Sequence, residues 1–560
     1  MFNFFSSRSG RALRLSAVAT TALALAAAPA AHGQNRIAPA LNGEAAHGAN
    51  GRILLVLPFD NETGQLSLDW MREAAAELLD SRFSSAGFSP LNREDRTYAL
   101  DHLGLPEAFQ PSRATAIKLA QTLDAGDIVV GSYKTVGGQL VAQAQLVDVP
   151  NLAMTEPVTT RGKLTDMIAI FDSLAWQLTK QLDPRFSVAE KTFVAAGANL
   201  RLDAFEQYIR GITEPDQAER MRHLQAAVKL SPDFSPAWMA LGREEYSTQQ
   251  YQGAAADFAK VDRGGPDGLE AGFHRGLALL FSGDYAGAEK AFSEVARVLP
   301  LAEVLNNEGV AVSRQGHDGT SFFVQAAAAD PNTADYHFNL AVSLMRHGNA
   351  QPALNEMAEC LRLHPGDGEA QNVMAAWKSP AARRGAVKTT VAATAATDDS
   401  NPDPLERIVR SFDAAAFREA GAVVDQMEAA KLAALPGPER ARKLCTEGDD
   451  YLSRGLVLEA ERLYQSAISA DRNLAEAHAG LAEVRRRTGD AADARLEANQ
   501  ALKLNRSAEA YLVLSRLDLA SGHLTEAGAE AEEALKLAPA NQAALQLSQE
   551  IAARQGAKKE

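Results

Sequence analysis

The sequence predicts a mainly helical protein: a small mixed α/β domain followed by two α-solenoid arrays. Three observations predict it. A continuous apolar run, Ile53-Leu54-Leu55-Val56-Leu57-Pro58-Phe59, has strand length and lies near helical and hairpin signals. It is apolar on both faces, as a central strand covered on two sides is. From about residue 201 onward, a pattern of small, aromatic and leucine residues recurs roughly every 34 positions. The composition is that of an ordinary globular chain, 46% hydrophobic and 23% charged over 560 residues.

The charge balance limits the function classes. Lys and Arg number 56 against 71 Asp and Glu, a formal charge of −15. Nucleic acid is therefore not an expected partner, because binding it requires basic surface that displaces phosphate counterions. Only two cysteines occur, Cys360 and Cys445, so a disulfide scaffold is excluded. Both are expected to be buried as small apolar groups.

Residues 1–33 read as a secretory signal. Arg8, Arg11 and Arg14 precede an apolar run from Leu15 to Ala28, and small residues follow. Cleavage is expected before Gln34, with cleavage after Ala30 as the alternative. The apolar run is short for a bilayer span of about 20 residues. The mature chain is expected in the periplasm or the medium, with no stable membrane span. Residues 34–50, rich in Gly, Ala and Asn, form a leader.

The first domain is placed at 51–184. After the opening strand, Leu66 to Phe83 has helical spacing, and a second helix fits Ala114 to Leu123. Asp127 to Tyr133 is a second strand, and Gly137-Gly138 marks a two-residue hairpin. The returning strand, Gln139 to Val149, alternates: Leu140, Ala142, Ala144 and Leu146 share one face. Met154 to Thr160 supplies a further strand, and Leu164 to Leu182 a closing helix. The segments "ILLVLPFDNETG", "AGDIVVGSY" and "GGQLVAQAQLVDVPN" resemble the TolB amino-terminal-like domain, related to the CsgG and FlgO group of bacterial envelope proteins. That resemblance implies an envelope-associated, non-catalytic module. No long alternating apolar segment is present to supply membrane-inserting hairpins, so no channel activity is carried over.

The repeats are placed at 201–377 and 404–556, separated by a flexible linker at 378–403 rich in Ala, Thr, Pro and charge. "AEAHAGLAEVRRRTGDAADARLEANQALKLNR" from Ala475 aligns with "AEAYLVLSRLDLASGHLTEAGAEAEEALKLAP" from Ala508, matching Leu481 with Leu514 and Gly489 with Gly522. Small residues permit close helix crossing, and glycine permits the tight turn between helices. This pattern resembles the tetratricopeptide repeat (TPR). Four to five units are expected before 378 and about four after 401, with units near Arg201, Ala302 and Asn401 degenerate. Gly368 to Trp377 and Asn541 to Ala553 read as solvating end helices.

No catalytic signature is found: no phosphate loop, no His-Glu-x-x-His, no Cys-x-x-Cys and no Gly-x-Ser-x-Gly elbow. The 11 histidines are scattered, and His337 and His347 lack metal-ligand spacing. No cofactor or metal is expected. Asp60, Glu62, Asp124 and Asp127 lie near strand ends, where carboxylates are usually solvated. Binding is the expected activity, with other envelope proteins or peptides as partners. In the repeat family the first helix of each pair contacts partner peptides. Register transfer of those positions gives Met239, Arg243, Tyr246, Phe273, Leu277, Phe281, Asn307, Phe338, Asn339, Val342 and Arg346 in the first array. The amides among them can hydrogen-bond an extended peptide backbone, whereas the apolar ones can equally pack against neighbouring helices. In the second array the same face carries Arg442, Glu483, Arg486, Arg487 and Arg516; the arginines suit an acidic peptide or carboxylate, or else form a solvated surface salted by Glu476 and Glu509. An enzyme built on the α/β domain and a structural part of an outer-membrane apparatus are the rival readings.

Overall fold

The computed structural model describes residues 53–106, 112–379 and 404–557. The signal sequence, leader and most of the linker expected from the sequence lie outside the described residues. The described chain forms two units, each assembled from separated stretches: 214–379 with 404–424, and 53–213 with 425–557.

In the second of these units, strands β1 (Ile53–Val56), β2 (Asp60–Asn61), β3 (Ser89–Pro90), β4 (Asp127–Val136), β5 (Gln139–Asp148), β6 (Ala153–Met154) and β7 (Val158–Gly162) form one mixed sheet. Its path is β3-β1-β4-β5-β6, with β2 on β4 and β7 on β5. β1 is parallel to β3 and β4, whereas β4 and β5 are antiparallel, Val136 facing Gln139 across the glycine pair. Gly137 and Gly138 have φ of 58° and 78°, as a type I′ turn requires. Helices α1 (Met71–Ala86), α2 (Arg93–His102), α3 (Arg113–Thr122) and α4 (Met167–Leu182) cover the sheet. Leu55, Ile128 and Val147 pack with Leu100 and Leu119 of α2 and α3. Against another part of the sheet, Phe59 meets Phe171 of α4 edge-on at 5.6 Å. α1 and α4 are joined by a buried ion pair, Arg82 to Asp172 at 2.7 Å. Helix α2 was not foreseen, because its sequence REDRTYALDH offers few apolar positions.

Short helices α5 (Glu190–Ala195) and α6 (Leu202–Thr213) follow the sheet domain. In the other unit, α7 (Gln217–Leu230) precedes four helical hairpins: α8 (Ser235–Ser247) with α9 (Tyr251–Phe258), α10 (Gly268–Ser282) with α11 (Tyr285–Ala296), α12 (Ala302–Arg314) with α13 (Thr320–Ala329), and α14 (Ala334–Arg346) with α15 (Ala350–Leu363). α16 (Gly368–Lys378) closes the stack. Residues 404–412 are extended, and α17 (Ala414–Ala433) begins after them. The second array continues the sheet-bearing unit with α18 (Gly437–Ser453) and α19 (Val457–Ala470), α20 (Ala475–Arg487) and α21 (Ala491–Leu504), α22 (Ala508–Ala520) and α23 (Leu524–Leu537), then α24 (Gln542–Ala557). It therefore holds three hairpins and an end helix. The described part of the stretch expected near Asn401 as a degenerate repeat, residues 404–424, instead falls in the first unit. Ile408, Val409, Phe412 and Phe417 join the core around Phe273 and Phe323.

The repeat pattern has a packing cause. The Tyr464 ring of α19 fills the space left by Gly448 of α18 and Gly480 of α20; a Cβ on Gly480 would lie 2.3 Å from that ring. Within each hairpin the turn needs one left-handed residue, and Gly489 and Gly522 supply it at φ of 79° and 78°. The α8–α9 turn meets the same need without glycine, with Gln249 at φ of 62°. Left-handed backbone costs an L-residue roughly 1–2 kcal/mol, partly offset by the greater freedom of glycine in the unfolded chain. Gln249→Gly is thus expected to stabilise the first array by about 0.5–1 kcal/mol, read as a higher urea midpoint with an unchanged slope.

Candidate peptide-binding groove

In the first unit the extended segment Pro404–Phe412 lies across α10, α12, α14 and α16, and its main chain is held by asparagine side chains. Asn339 Oδ1 accepts the Arg407 N–H at 2.7 Å, and Asn339 Nδ2 donates to the Arg407 carbonyl at 2.8 Å. One turn pair away, Asn307 Oδ1 accepts the Val409 N–H at 3.0 Å and its Nδ2 donates to the Val409 carbonyl at 2.8 Å. Each carboxamide turns its oxygen and one of its two N–H donors to the same strand residue, so each satisfies one residue of strand as a neighbouring β-strand would. Asn306 completes the set: its Nδ2 reaches the Arg407 carbonyl at 3.1 Å and its Oδ1 accepts from Asn339 at 2.8 Å. All three asparagines are fully buried, so their pairing is obligatory.

Charged side chains fix the segment's register. Glu406, 3% exposed, is bound by Ser313 and Arg346 and lies 3.2 Å from Arg314 Nε. Arg346 also donates to the Pro404 carbonyl at 2.7 Å. Arg407 points to an acidic set: Asp367 takes two bonds at 2.6 and 3.1 Å, Asp335 one at 2.8 Å and Glu369 one at 2.8 Å. Its guanidinium lies 3.7 Å from the centre of the Phe338 ring, a stacked cation–π contact. Burial alone would raise the Asp367 carboxyl, but the bonds from Arg407 outweigh it and hold the group below its usual range. Asp367 sits at the start of α16, where its side chain also accepts from the Ala370 N–H at 3.0 Å. Further along, Arg410 lies over Phe281 at 4.6 Å, and Phe412 meets Phe273 at 5.6 Å and Phe417 at 4.1 Å.

The residues expected at this surface divide into three groups. Asn307, Asn339, Phe338, Arg346, Phe273 and Phe281 all touch the extended segment. Met239, Leu277 and Val342 do not open to a groove; they are buried in the array's own core, since a first helix flanked on both sides buries apolar residues whichever face they occupy. Tyr246 packs among Tyr251, His274 and Phe281, and Arg243 pairs with Glu270. Asn306 was missed, although it lies 33 residues before Asn339 and repeats its identity. Arg314, Asp335, Asp367 and Glu369 were also missed, because they gain meaning only from Glu406 and Arg407.

In the second array, Arg486 and Arg487 both bind Glu483, at 2.7 and 2.8 Å, and Arg516 reaches it at 3.4 Å. Burial would raise Glu483, but these bonds lower it. Arg442 is exposed. This face is accordingly ion-paired within itself, with more arginines than carboxylates. Elsewhere in the same unit, Glu461, fully buried, accepts the Ala189 N–H at 2.9 Å, binds Thr192 of α5 and pairs with Arg485 at 2.7 Å. Lys191 adds a 3.0 Å pair to Asp490, and Arg462 donates to the Ser85 carbonyl at 2.7 Å. The α/β domain is thereby fastened onto α19 and α20.

Chemistry elsewhere is sparse. Cys360 and Cys445 are buried, which pushes their thiols up to about 11 and about 12, so both stay protonated at neutral pH. His337 binds Glu356 at 2.7 Å and the Pro331 carbonyl, whereas His347 turns to the Ser343 carbonyl. Among the described residues no group of three or more His, Cys, Asp or Glu is placed to hold a metal ion, and no helix is long and apolar enough to cross a membrane. Asp60, Glu62 and Asp124 are exposed and Asp127 is half-buried. On α1, burial and then Glu73 push Glu77 up to about 7; it accepts from the Tyr208 hydroxyl at 3.1 Å.

No curated protein sequence matches the chain. Among solved structures it is similar to YrrB, described as a TPR protein with an unusual peptide-binding site, at 17% identity over 32% of this chain and 94% of that one, with a TM-score of 0.29. It is also similar to the LpoB C-terminal domain from Escherichia coli, at 24% identity over 21% of this chain and 87% of that one, TM-score 0.19. A third similarity is to MamA from Desulfovibrio magneticus RS-1, at 18% identity over 32% of this chain and 99% of that one, TM-score 0.26. Residues 445–510, from within α18 to the start of α22, match the tetratricopeptide repeat family, so repeats of that kind are part of this chain.

Proposed function

We propose that the protein is a non-catalytic envelope scaffold, exported after removal of residues 1–33, whose first array grips extended segments of partner proteins. One observation supports this above the rest: buried Asn307 and Asn339 each satisfy both main-chain groups of a strand residue. Such clamps read backbone, while the charged pockets beside them read side chains.

The test combines location with capture. Cell fractionation is expected to place the processed chain in the periplasm, beginning at Gln34 or Ala31. Full-length protein is expected to retain a defined set of envelope proteins that the Asn307→Ala/Asn339→Ala double variant loses. Identical capture by both proteins, or a chain that keeps its first 33 residues in the cytoplasm, contradicts the reading.

A further inference from the structure

The segment in the groove belongs to this same chain, and its hydrogen-bonding partners lie 38 to 102 residues away in sequence. We infer that Pro404–Phe412 is a built-in competitor, and that the groove's external ligand is a partner-protein segment of the same chemistry: Glu-Arg, an aliphatic pair, then an aromatic residue five positions after the arginine. The inference rests on the groove reading above.

Three features carry it. The clamps hold main-chain atoms of Arg407 and Val409, which any extended peptide presents equally. The side-chain pockets have opposite signs: Arg314 and Arg346 surround Glu406, whereas Asp335, Asp367 and Glu369 surround Arg407. A segment with the order reversed would place like charges together, so the groove sets both sequence and direction. The buried asparagines need an extended backbone, and the segment supplies it in the absence of a partner. The 24 residues between Ser379 and Pro404 tether it close by. A tether of this length gives an effective concentration of order millimolar, so a segment that binds at about 10 µM masks the groove by roughly 100-fold.

The experiment uses full-length protein and a fluorescein-labelled peptide, Pro-Leu-Glu-Arg-Ile-Val-Arg-Ser-Phe, with a scrambled control. Arg407→Glu weakens only the tethered copy, placing an acid against three others. This variant is expected to bind the labelled peptide at least 30-fold more tightly than the wild type, and Asn339→Ala added to it is expected to abolish binding. If Arg407→Glu loses helical signal by circular dichroism, Glu406→Gln replaces it, with a gain of about 10-fold expected. Equal binding to wild type and variant, still lost with Asn339→Ala, overturns the competitor while leaving the groove reading intact. No binding to any of them overturns the groove reading as well. A doubled mass for the wild type in light scattering, abolished by Arg407→Glu, would show the segment exchanged between two copies and overturn the tethered form.

Discussion

Replacing Arg407 by alanine is expected to release residues 404–412 and to lower the stability of the first unit by about 2–3 kcal/mol. The magnitude follows from what each partner loses. Asp367 is 7% exposed and takes two bonds from the guanidinium, so its carboxylate would be left buried with its main counter-charge gone. Breaking a fully buried pair costs about 3–5 kcal/mol. The cost here is smaller because the arginine side chain itself is 19% exposed and water can re-enter. Asp335 and Glu369, about half exposed, add at most about 1 kcal/mol each and lose that in salt. Loss of the stacking on Phe338 adds a further fraction. Urea unfolding followed by hydrogen exchange separates this unit's transition from the other's. Arg407→Lys is expected to recover less than half, because an ammonium cannot make the paired bonds to Asp367. A variant as stable as wild type would show that the acidic set does not hold the segment.

A comparable loss is expected at the joint between the α/β domain and the second array. Glu461→Ala removes the carboxylate that accepts from Ala189 N–H and pairs with Arg485, itself 9% exposed. Asp490 and Asp493, at 3.6 and 3.8 Å, compensate Arg485 only in part. The expected cost is about 3 kcal/mol, with new proteolytic cleavage between Pro184 and Ala189 as the visible sign that α5 has left α19. Burial raises the Glu461 carboxyl, against the pull of Arg485. Glu461→Gln, which keeps an acceptor for the Ala189 N–H, is expected to lose less. Resistance of Glu461→Ala to protease at that linker would mean the domain is held by other contacts.

The sequence shows clearly those features that repeat. Gly489 and Gly522 mark turns because each hairpin needs one left-handed residue, and Gly480 marks a helix crossing because Tyr464 fills its place. Asn307 and Asn339 could be placed on the partner-facing side of first helices by register alone. The segment that meets them could not. Nine extended residues have no helical period, and their bonding partners stand up to 102 positions upstream. Ile408, Val409 and Phe412 join the array's core although they lie on extended chain, because a core selects apolar side chains irrespective of the backbone that carries them. The same ambiguity put Met239, Leu277 and Val342 among the candidates, although they are buried between helices. In the second array, a cluster of arginines on one helix face did not reveal how far Glu483 satisfies it.

Amide hydrogen exchange at two positions measures the clamp itself. The N–H groups of Arg407 and Val409 each donate to an asparagine side chain rather than to a helix or sheet partner. In full-length wild-type protein both amides are expected to exchange at least 100-fold more slowly than in an unstructured peptide, and Asn307→Ala/Asn339→Ala is expected to remove that protection while the surrounding helices keep theirs. Free exchange at both positions in the wild type would contradict the account.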